Sequence, residues 1–315
     1  MNVQRIIIDC DPGIDDAVSL LLALASPEVE VLGVTTVCGN IPVDATTRNA
    51  LTICHLAGRD DIPVYSGAVR PILREPIMAE FSGGSGLGNA VLEAPVRKAE
   101  VLHAVDYLVK TLVEAGERGE KITLCAHGPL TNLALMIRHS PAVAKGIERI
   151  VLMGGAFRAG GNRTRTAEFN MLADPHAAAI VVSAGIPITM LPLDATYQAM
   201  ATPERVEKIR AVPGKVAQTV ADILTFWDRK DLKRYGSLGG PLHDPLVPAY
   251  VIRPDLFTIE STFVEVEWRS ELCFGQTVAD WYGRTDAAHN VDVVLGVNAE
   301  GFFDLLTERL ASYGN

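Results

Sequence analysis

Short apolar runs alternate along the chain with stretches in which apolar positions return at helical spacing. The first run, Arg5 to Asp9, leads into a helical pattern from about Asp15 to Ala25. A second β-rich run, Val29 to Val37, completes a predicted βαβ opening. The alternation continues through a helix over Ala45 to Leu56, a short strand at Pro63 to Tyr65, a helix from about Ala99 to Ala115 and a strand over Ile122 to Ala126. Helix Leu130 to Ile137, strand Ile150 to Met153, helix Pro175 to Ser183 and strand Ile186 to Leu191 extend it. Such alternation predicts one α/β domain over residues 1–315, with a mostly parallel central sheet flanked by helices. From Pro203 to Leu232 the pattern is more helical. The C-terminal part mixes β-like stretches at Phe263 to Trp268 and Val291 to Val297 with a last helix. No Pro/Gly/Ser-rich linker, low-complexity tract or internal repeat interrupts the pattern.

In a Rossmann-like core of this kind, ligands sit beyond the C-terminal ends of the strands. The loops at Asp9 to Asp16, Cys38 to Asn40, Phe81 to Asn89, Ala126 to Asn132, Gly154 to Asn170 and Tyr235 to Pro245 are expected to gather on that rim.

Composition narrows the function classes. The chain has 315 residues, 48% of them hydrophobic and 21% charged, enough apolar surface for a large core. With 28 Lys and Arg against 38 Asp and Glu, the net charge of −10 argues against tracking a phosphate backbone, so no nucleic-acid partner is expected. The apolar stretch from Ala17 to Ser26 stops at Pro27 and Glu28, well short of a membrane span, so no membrane association is expected. The opening residues run directly into Ile6-Ile7-Ile8 without the pattern of a secretory signal, which favours a cytoplasmic setting. Cys10, Cys38, Cys54, Cys125 and Cys273 are scattered, an odd number without a C-x-x-C pair, and read as buried apolar residues rather than a disulfide framework or zinc site. No dinucleotide or P-loop template fits in context, so no nicotinamide or ATP requirement is expected.

The chemistry concentrates where the first strand meets the first helix. Asp9, Asp11, Asp15 and Asp16 surround Pro12-Gly13. Asp15 or Asp16 at a helix start is explained by capping. Asp11, across a turn that glycine permits, can fold back so that three carboxylates converge, and their repulsion then calls for a cation. Hard oxygen ligands select calcium or magnesium over zinc. A second acidic element, His243-Asp244-Pro245, lies on a Gly/Pro-rich loop before another helix.

The run Asp9-Cys10-Asp11-Pro12-Gly13-Ile14-Asp15-Asp16-Ala17 resembles the signature of the inosine-uridine-type nucleoside hydrolases. The resemblance extends in order through Val37-Cys38-Gly39-Asn40, Gly128-Pro129-Leu130-Thr131-Asn132, Met153-Gly154-Gly155, Glu168-Phe169-Asn170, Ala173-Asp174-Pro175 and His243-Asp244-Pro245. It implies a calcium-dependent ribonucleoside N-glycosidase whose metal ligands are Asp11, Asp16, Asp244 and the main-chain oxygen of His127, a position where Thr or an aliphatic residue is more usual. It further implies that Asp11 takes a proton from the attacking water and that His243 is the acid on the departing base. Asp15, Asn162, Glu168 and Asn170 match residues that bind the ribose hydroxyls, and Asn40, Met153 and Phe169 match others lining the sugar site. Trp227 and Tyr235 fall where the family places a helix over the base. Asn40 and the His243-Asp244 pair resemble the broad or pyrimidine-preferring branch, although Ser82 stands where many pyrimidine-preferring members carry His. The family also implies a homo-oligomer, a dimer or tetramer, and a place in nucleoside salvage. A catalytically inactive, calcium-dependent nucleoside- or ribose-binding protein is the alternative, since the same ligands hold a sugar without turning it over. Phosphoryl transfer on an Asp nucleophile is disfavoured, because this D-x-D runs into Pro-Gly.

Overall fold

Three consecutive isoleucines, Ile6-Ile7-Ile8, are all fully buried, the mark of a strand covered on both faces. Ile6 and Ile8 pack into one hydrophobic core and Ile7 into another, so the period-two alternation of β1 (Gln4–Cys10) feeds both sides of a sheet. The computed structural model describes residues 3–79, 86–88, 90, 92–225 and 239–314. From β1 the chain passes through α1 (Ile14–Leu24), β2 (Val29–Thr36), α2 (Val43–Leu56), β3 (Val64–Ser66) and α3 (Ala104–Glu117). It then passes through β4 (Ile122–Ala126), α4 (Thr131–His139), β5 (Ile147–Met153), α5 (Phe169–Ala173), α6 (Pro175–Val182) and β6 (Ile188–Leu191). Next come α7 (Leu193–Thr196), α8 (Pro203–Arg210), α9 (Lys215–Thr225), α10 (Leu246–Ile252) and β7 (Phe257–Thr262). A two-stranded antiparallel sheet of β8 (Val264–Val266) and β9 (Thr277–Ala279) precedes β10 (Val291–Val297) and α11 (Ala299–Ala311).

The central sheet has eight strands in the order β3-β2-β1-β4-β5-β6-β10-β7. Its first six follow the 3-2-1-4-5-6 order of dinucleotide-binding sheets, which bears out the expected parallel α/β architecture. All its pairs are parallel except β10 with the edge strand β7. β1 pairs with β2 on one side and β4 on the other, so the strand order reverses between β1 and β4 and opens a crevice at their C-terminal ends. Asp11 follows the first of these strands and His127 the second.

Some expectations needed revision. The helical stretch from Pro203 is two helices, α8 and α9, broken at Pro213-Gly214, where Gly214 has φ +112°. Its last residues, 226–232, lie outside the described residues. The β-like stretch from Phe263 is mostly β8, outside the main sheet, while β7 just before it escaped notice because its residues are polar and largely exposed. No helix among the described residues is long and apolar enough to cross a membrane.

The crevice is fastened by one side chain. Asn132, fully buried at the start of α4, donates to Asp9 Oδ2 (2.7 Å) and to the Thr36 carbonyl (2.9 Å), and accepts from the Ala68 backbone N–H (2.9 Å). It thereby joins the ends of β1 and β2 and the segment after β3 to the helix that follows β4. Asn132→Ala leaves a buried carbonyl and a buried N–H without partners, at roughly 1–3 kcal/mol each. Chemical denaturation should show a loss of about 2–6 kcal/mol; a change within about 0.5 kcal/mol would mean that water replaces the amide.

Candidate active site

The loop from Asp11 to Asp16 turns sharply because α1 starts immediately after Gly13, and Asp15 and Asp16 fall in its first turn. Asp16 does what capping alone would ask of it: its Oδ2 accepts from the Gly13 N–H at 3.0 Å. Its Oδ1 accepts from the Asp11 N–H at 3.3 Å. The same carboxylate also joins a cluster. Oxygens of Asp15, Asp16 and Asp244 all lie within 4.8 Å of one another, with Asp16 and Asp244 buried.

Asp11 stands beside this trio and is gripped separately. Its Oδ2 accepts from the Asn40 N–H at 2.6 Å, while the Asn40 side-chain amide donates to the Asp11 carbonyl (3.1 Å) and to Asp16 Oδ2 (3.2 Å). The carboxylate is seated between two glycines. A Cβ on Gly128 would lie 2.6 Å from Oδ1, and a Cβ on Gly39 would overlap Oδ2 outright. Neither glycine has a positive φ, so close approach to Asp11, rather than backbone conformation, is what requires them.

Electrostatics in the crevice run against so many acids. Burial, reinforced by the charge of Asp16, pushes Asp11 well above the usual carboxyl range. Burial and then the charges of Asp15, Asp16 and Asp11 do the same to Asp244. Asp16 is pushed up to about 7 by burial and by Asp15. Positive charge is what this arrangement lacks, and an all-oxygen donor set fits a hard divalent cation. Oxygens bound to one such ion at 2.3–2.6 Å are at most about 5 Å apart, the spacing the trio already has.

His127 stands next to the cluster, its Nδ1 3.9 Å from Asp16 Oδ1. The His127 N–H donates to the Asp9 carbonyl (2.8 Å) and its own carbonyl accepts from Asn170 Nδ2 (2.5 Å). Its imidazole is buried and pushed down to about 3 by that burial. Asn170 also donates to the Met153 carbonyl at 3.2 Å, which commits its amide protons to the protein. Glu168 is buried and caps α5, accepting from the N–H groups of Asn170 and Met171, and it reaches the Gly155 N–H as well. Burial pushes it up to about 7. Phe169 and Asn162 are half-buried, Phe169 opening α5 and Asn162 on the loop before it. His243 is half-buried, with Nδ1 2.7 Å from Thr196 Oγ1 and its ring 5.9 Å from that of Tyr197. Trp227, Tyr235 and Ser82 lie outside the described residues.

Comparisons with known proteins identify the family. The family model for inosine-uridine preferring nucleoside hydrolases matches residues 6–304. The chain belongs to this family. It is 46% identical over 313 residues to a pyrimidine-specific ribonucleoside hydrolase, RihA, of Photobacterium profundum, covering 98% of this chain and 99% of that one. Its structure is similar to that of a plant nucleoside hydrolase (TM-score 0.90, 34% identity, 98% and 99% of the two chains). It is also similar to that of a purine-preferring ribonucleoside hydrolase from Gardnerella vaginalis (TM-score 0.91, 30% identity, 99% of both chains).

Within this nucleoside hydrolase, Asp9 belongs to the scaffold rather than to the acid cluster. Thr35 Oγ1 (2.6 Å) and Asn132 hold its Oδ2, and burial pushes it up to about 7. Sequence reasoning missed Thr196, Tyr197 and Ser19, and it did not see that Gly39 and Gly128 form the seat of Asp11. The available signal was position: Gly39 and Gly128 each stand just beyond the end of a buried strand, inside a motif already singled out. Gly128→Ala should displace the Asp11 carboxylate. Misplacement of about 1 Å costs on the order of 10²-fold in rate, so nucleoside hydrolysis should fall at least that far while the circular dichroism spectrum stays as in the wild type. Full activity in the variant would show that Asp11 tolerates a different seat.

Proposed function

We propose that residues 1–315 act as one catalytic domain that hydrolyses the N-glycosidic bond of ribonucleosides to ribose and free base, leaning toward pyrimidine bases, with a calcium ion held by Asp11, Asp16, Asp244 and the His127 carbonyl. The observation that carries this reading is the acid cluster of Asp15, Asp16 and Asp244 with Asp11 beside it, in a chain matched by the nucleoside hydrolase family over nearly its whole length. The pyrimidine leaning rests on the 46% identity to a hydrolase named pyrimidine-specific. When bound, the cation supplies Lewis acidity and positive charge toward the ribose diol and the attacking water.

The chain's own residues do the rest. Glycoside cleavage passes through an oxocarbenium-like state in which positive charge builds on the sugar, and the surrounding carboxylates favour that charge. Asp11, buried and seated between Gly39 and Gly128, is the base that takes a proton from the water. With both amide protons given to carbonyls, Asn170 offers the sugar its Oδ1, while Asp15, Asn40, Asn162, Glu168, Met153 and Phe169 complete the ribose wall. His243, oriented through Nδ1 by Thr196, is the acid that protonates the leaving base. A cytoplasmic role in nucleoside salvage as a homo-oligomer completes the proposal. The inactive binding-protein reading has no observation in its favour, since the base and the acid of the reaction are both present.

Reducing-sugar release from inosine, adenosine, guanosine, uridine and cytidine, with EGTA or added calcium, tests this reading. Ribose release from uridine and cytidine above the purines, abolished by the chelator, is expected; tight nucleoside binding without release would favour the inactive alternative. Asp11→Ala should abolish turnover of both nucleosides and p-nitrophenyl riboside. His243→Ala should lose about 10²–10⁴-fold on nucleosides and far less on p-nitrophenyl riboside, whose leaving group needs no proton. Equal losses on the two substrates would remove His243 as the acid.

A further inference from the structure

The chain between β5 and α5 carries Asn162 and Glu168, two of the residues assigned to the ribose wall, and its first stem is fastened by side chains from elsewhere. Five consecutive backbone N–H groups, from Gly155 to Ala159, each donate to one. The Gly155 N–H goes to Glu168 Oε2 (3.1 Å) and that of Ala156 to Thr277 Oγ1 (3.0 Å). The Phe157 N–H goes to Asp194 Oδ2 (2.8 Å), and those of Arg158 and Ala159 to Asp194 Oδ1 (2.7 and 3.1 Å). One carboxylate, Asp194, therefore serves three of the five, and the mechanism above does not use it.

Packing does little to hold residues 157–159. The side chains of Arg158 and Ala159 are exposed, and Phe157 is half-buried with its ring edge-on to Trp281 at 5.3 Å. Bonds from N–H groups to a carboxylate are charge-assisted and stronger than those to a neutral acceptor, so Asp194 is the main anchor of this stem. Beyond Ala159 the chain turns at Gly160 (φ +71°) into a loop closed on itself, with the Gly161 N–H donating to the Arg165 carbonyl and the Arg163 N–H to the Ala167 carbonyl, each at 3.2 Å. Asn162 sits between these two bonds. The Arg163 guanidinium adds one bond to the Met78 carbonyl (3.1 Å). A turn tied chiefly to itself takes its place in the molecule from its stems; Asp194 holds one, and Glu168, capping α5, holds the other.

We propose that Asp194 is a positioning residue for the ribose: by fixing the backbone of residues 157–159 it places Asn162 against the sugar. The inference rests on the reading that Asn162 contacts the ribose, and goes beyond it in naming the side chain that sets that contact. Asp194 opens α7 two residues before Thr196, which orients His243, so its effect on the sugar has to be separated from any effect on the acid.

Steady-state kinetics on uridine and p-nitrophenyl riboside make that separation, since the two share the ribose and differ in their need for an acid. Asp194→Ala should raise KM about three- to tenfold on both, the loss of one hydrogen bond to the sugar, with kcat changed less. Asn162→Ala should raise KM similarly. The double variant should keep the KM of Asn162→Ala, because a contact already removed cannot be misplaced. A merely structural role would lower the folded fraction, and with it kcat, while leaving KM alone. Asp194→Asn keeps the shape and one acceptor oxygen but turns amide protons toward an N–H, and should move KM the same way by less; it decides the matter if Asp194→Ala does not fold. KM unchanged in the Asp194 variants, KM increases that multiply in the double variant, or a loss confined to uridine, which would route Asp194 through Thr196 and His243, would each overturn the inference and leave the hydrolase reading standing. An Asn162→Ala variant with wild-type KM would remove Asn162 from the ribose wall and the inference with it, and a wild type that releases ribose from neither substrate would overturn the proposed function as well.

Discussion

Several carboxylates buried within a few ångströms of one another are a cost that the rest of this structure is arranged to bear. Asp11, Asp16 and Asp244 are all removed from water, and both burial and their neighbours' charges oppose their ionisation. Such a cluster persists only where backbone N–H groups, a helix start and a cation oppose the repulsion. Each of the first two is present: the N–H groups of Gly13 and Asp11 serve Asp16, that of Asn40 serves Asp11, and α1 begins beneath them.

The sheet determines where this can happen. Because β1 is flanked by β2 on one side and β4 on the other, the connections leaving β1 and β4 diverge, and the loops after them line a cleft. Asn132 and Asp9 brace the floor of the cleft, and the glycines at 39 and 128 let its walls close on a carboxylate. His243 and Thr196 stand at the edge of the same cleft, brought in from the segment before α10 and from the end of α7. The residues proposed as acid, base and sugar-binding groups therefore come from different elements of the chain.

Much of this was legible in the sequence, for identifiable reasons. Strands buried on both faces, such as Ile6-Ile7-Ile8 and Ile122 to Ala126, read as continuous apolar runs, and the alternation of such runs with helices is diagnostic of a parallel sheet. The acid cluster was visible because most of it lies in one short stretch. The edge strand β7 was not, since exposed polar residues on an edge carry no apolar signal. Asp9 illustrates a different limit: it lies in the same acidic run as Asp11, yet it is still inside β1, where its side chain meets Thr35 and Asn132, whereas Asp11 lies past the end of the strand. The partnerships of Ser19 with Asp244, 225 residues apart, and of Thr196 with His243, 47 apart, are set by tertiary packing and leave no local trace.

The central claim is that the folded cleft requires a divalent cation to offset its buried carboxylates. A ligand that binds only the folded state raises the melting temperature as its concentration rises. Thermal unfolding of the wild type and of Asp244→Asn, each in EGTA and across a calcium series, measures this directly. The account predicts a melting temperature that climbs with calcium in the wild type and is flat in Asp244→Asn. A wild-type melting temperature that is the same in EGTA and at the highest calcium would contradict it.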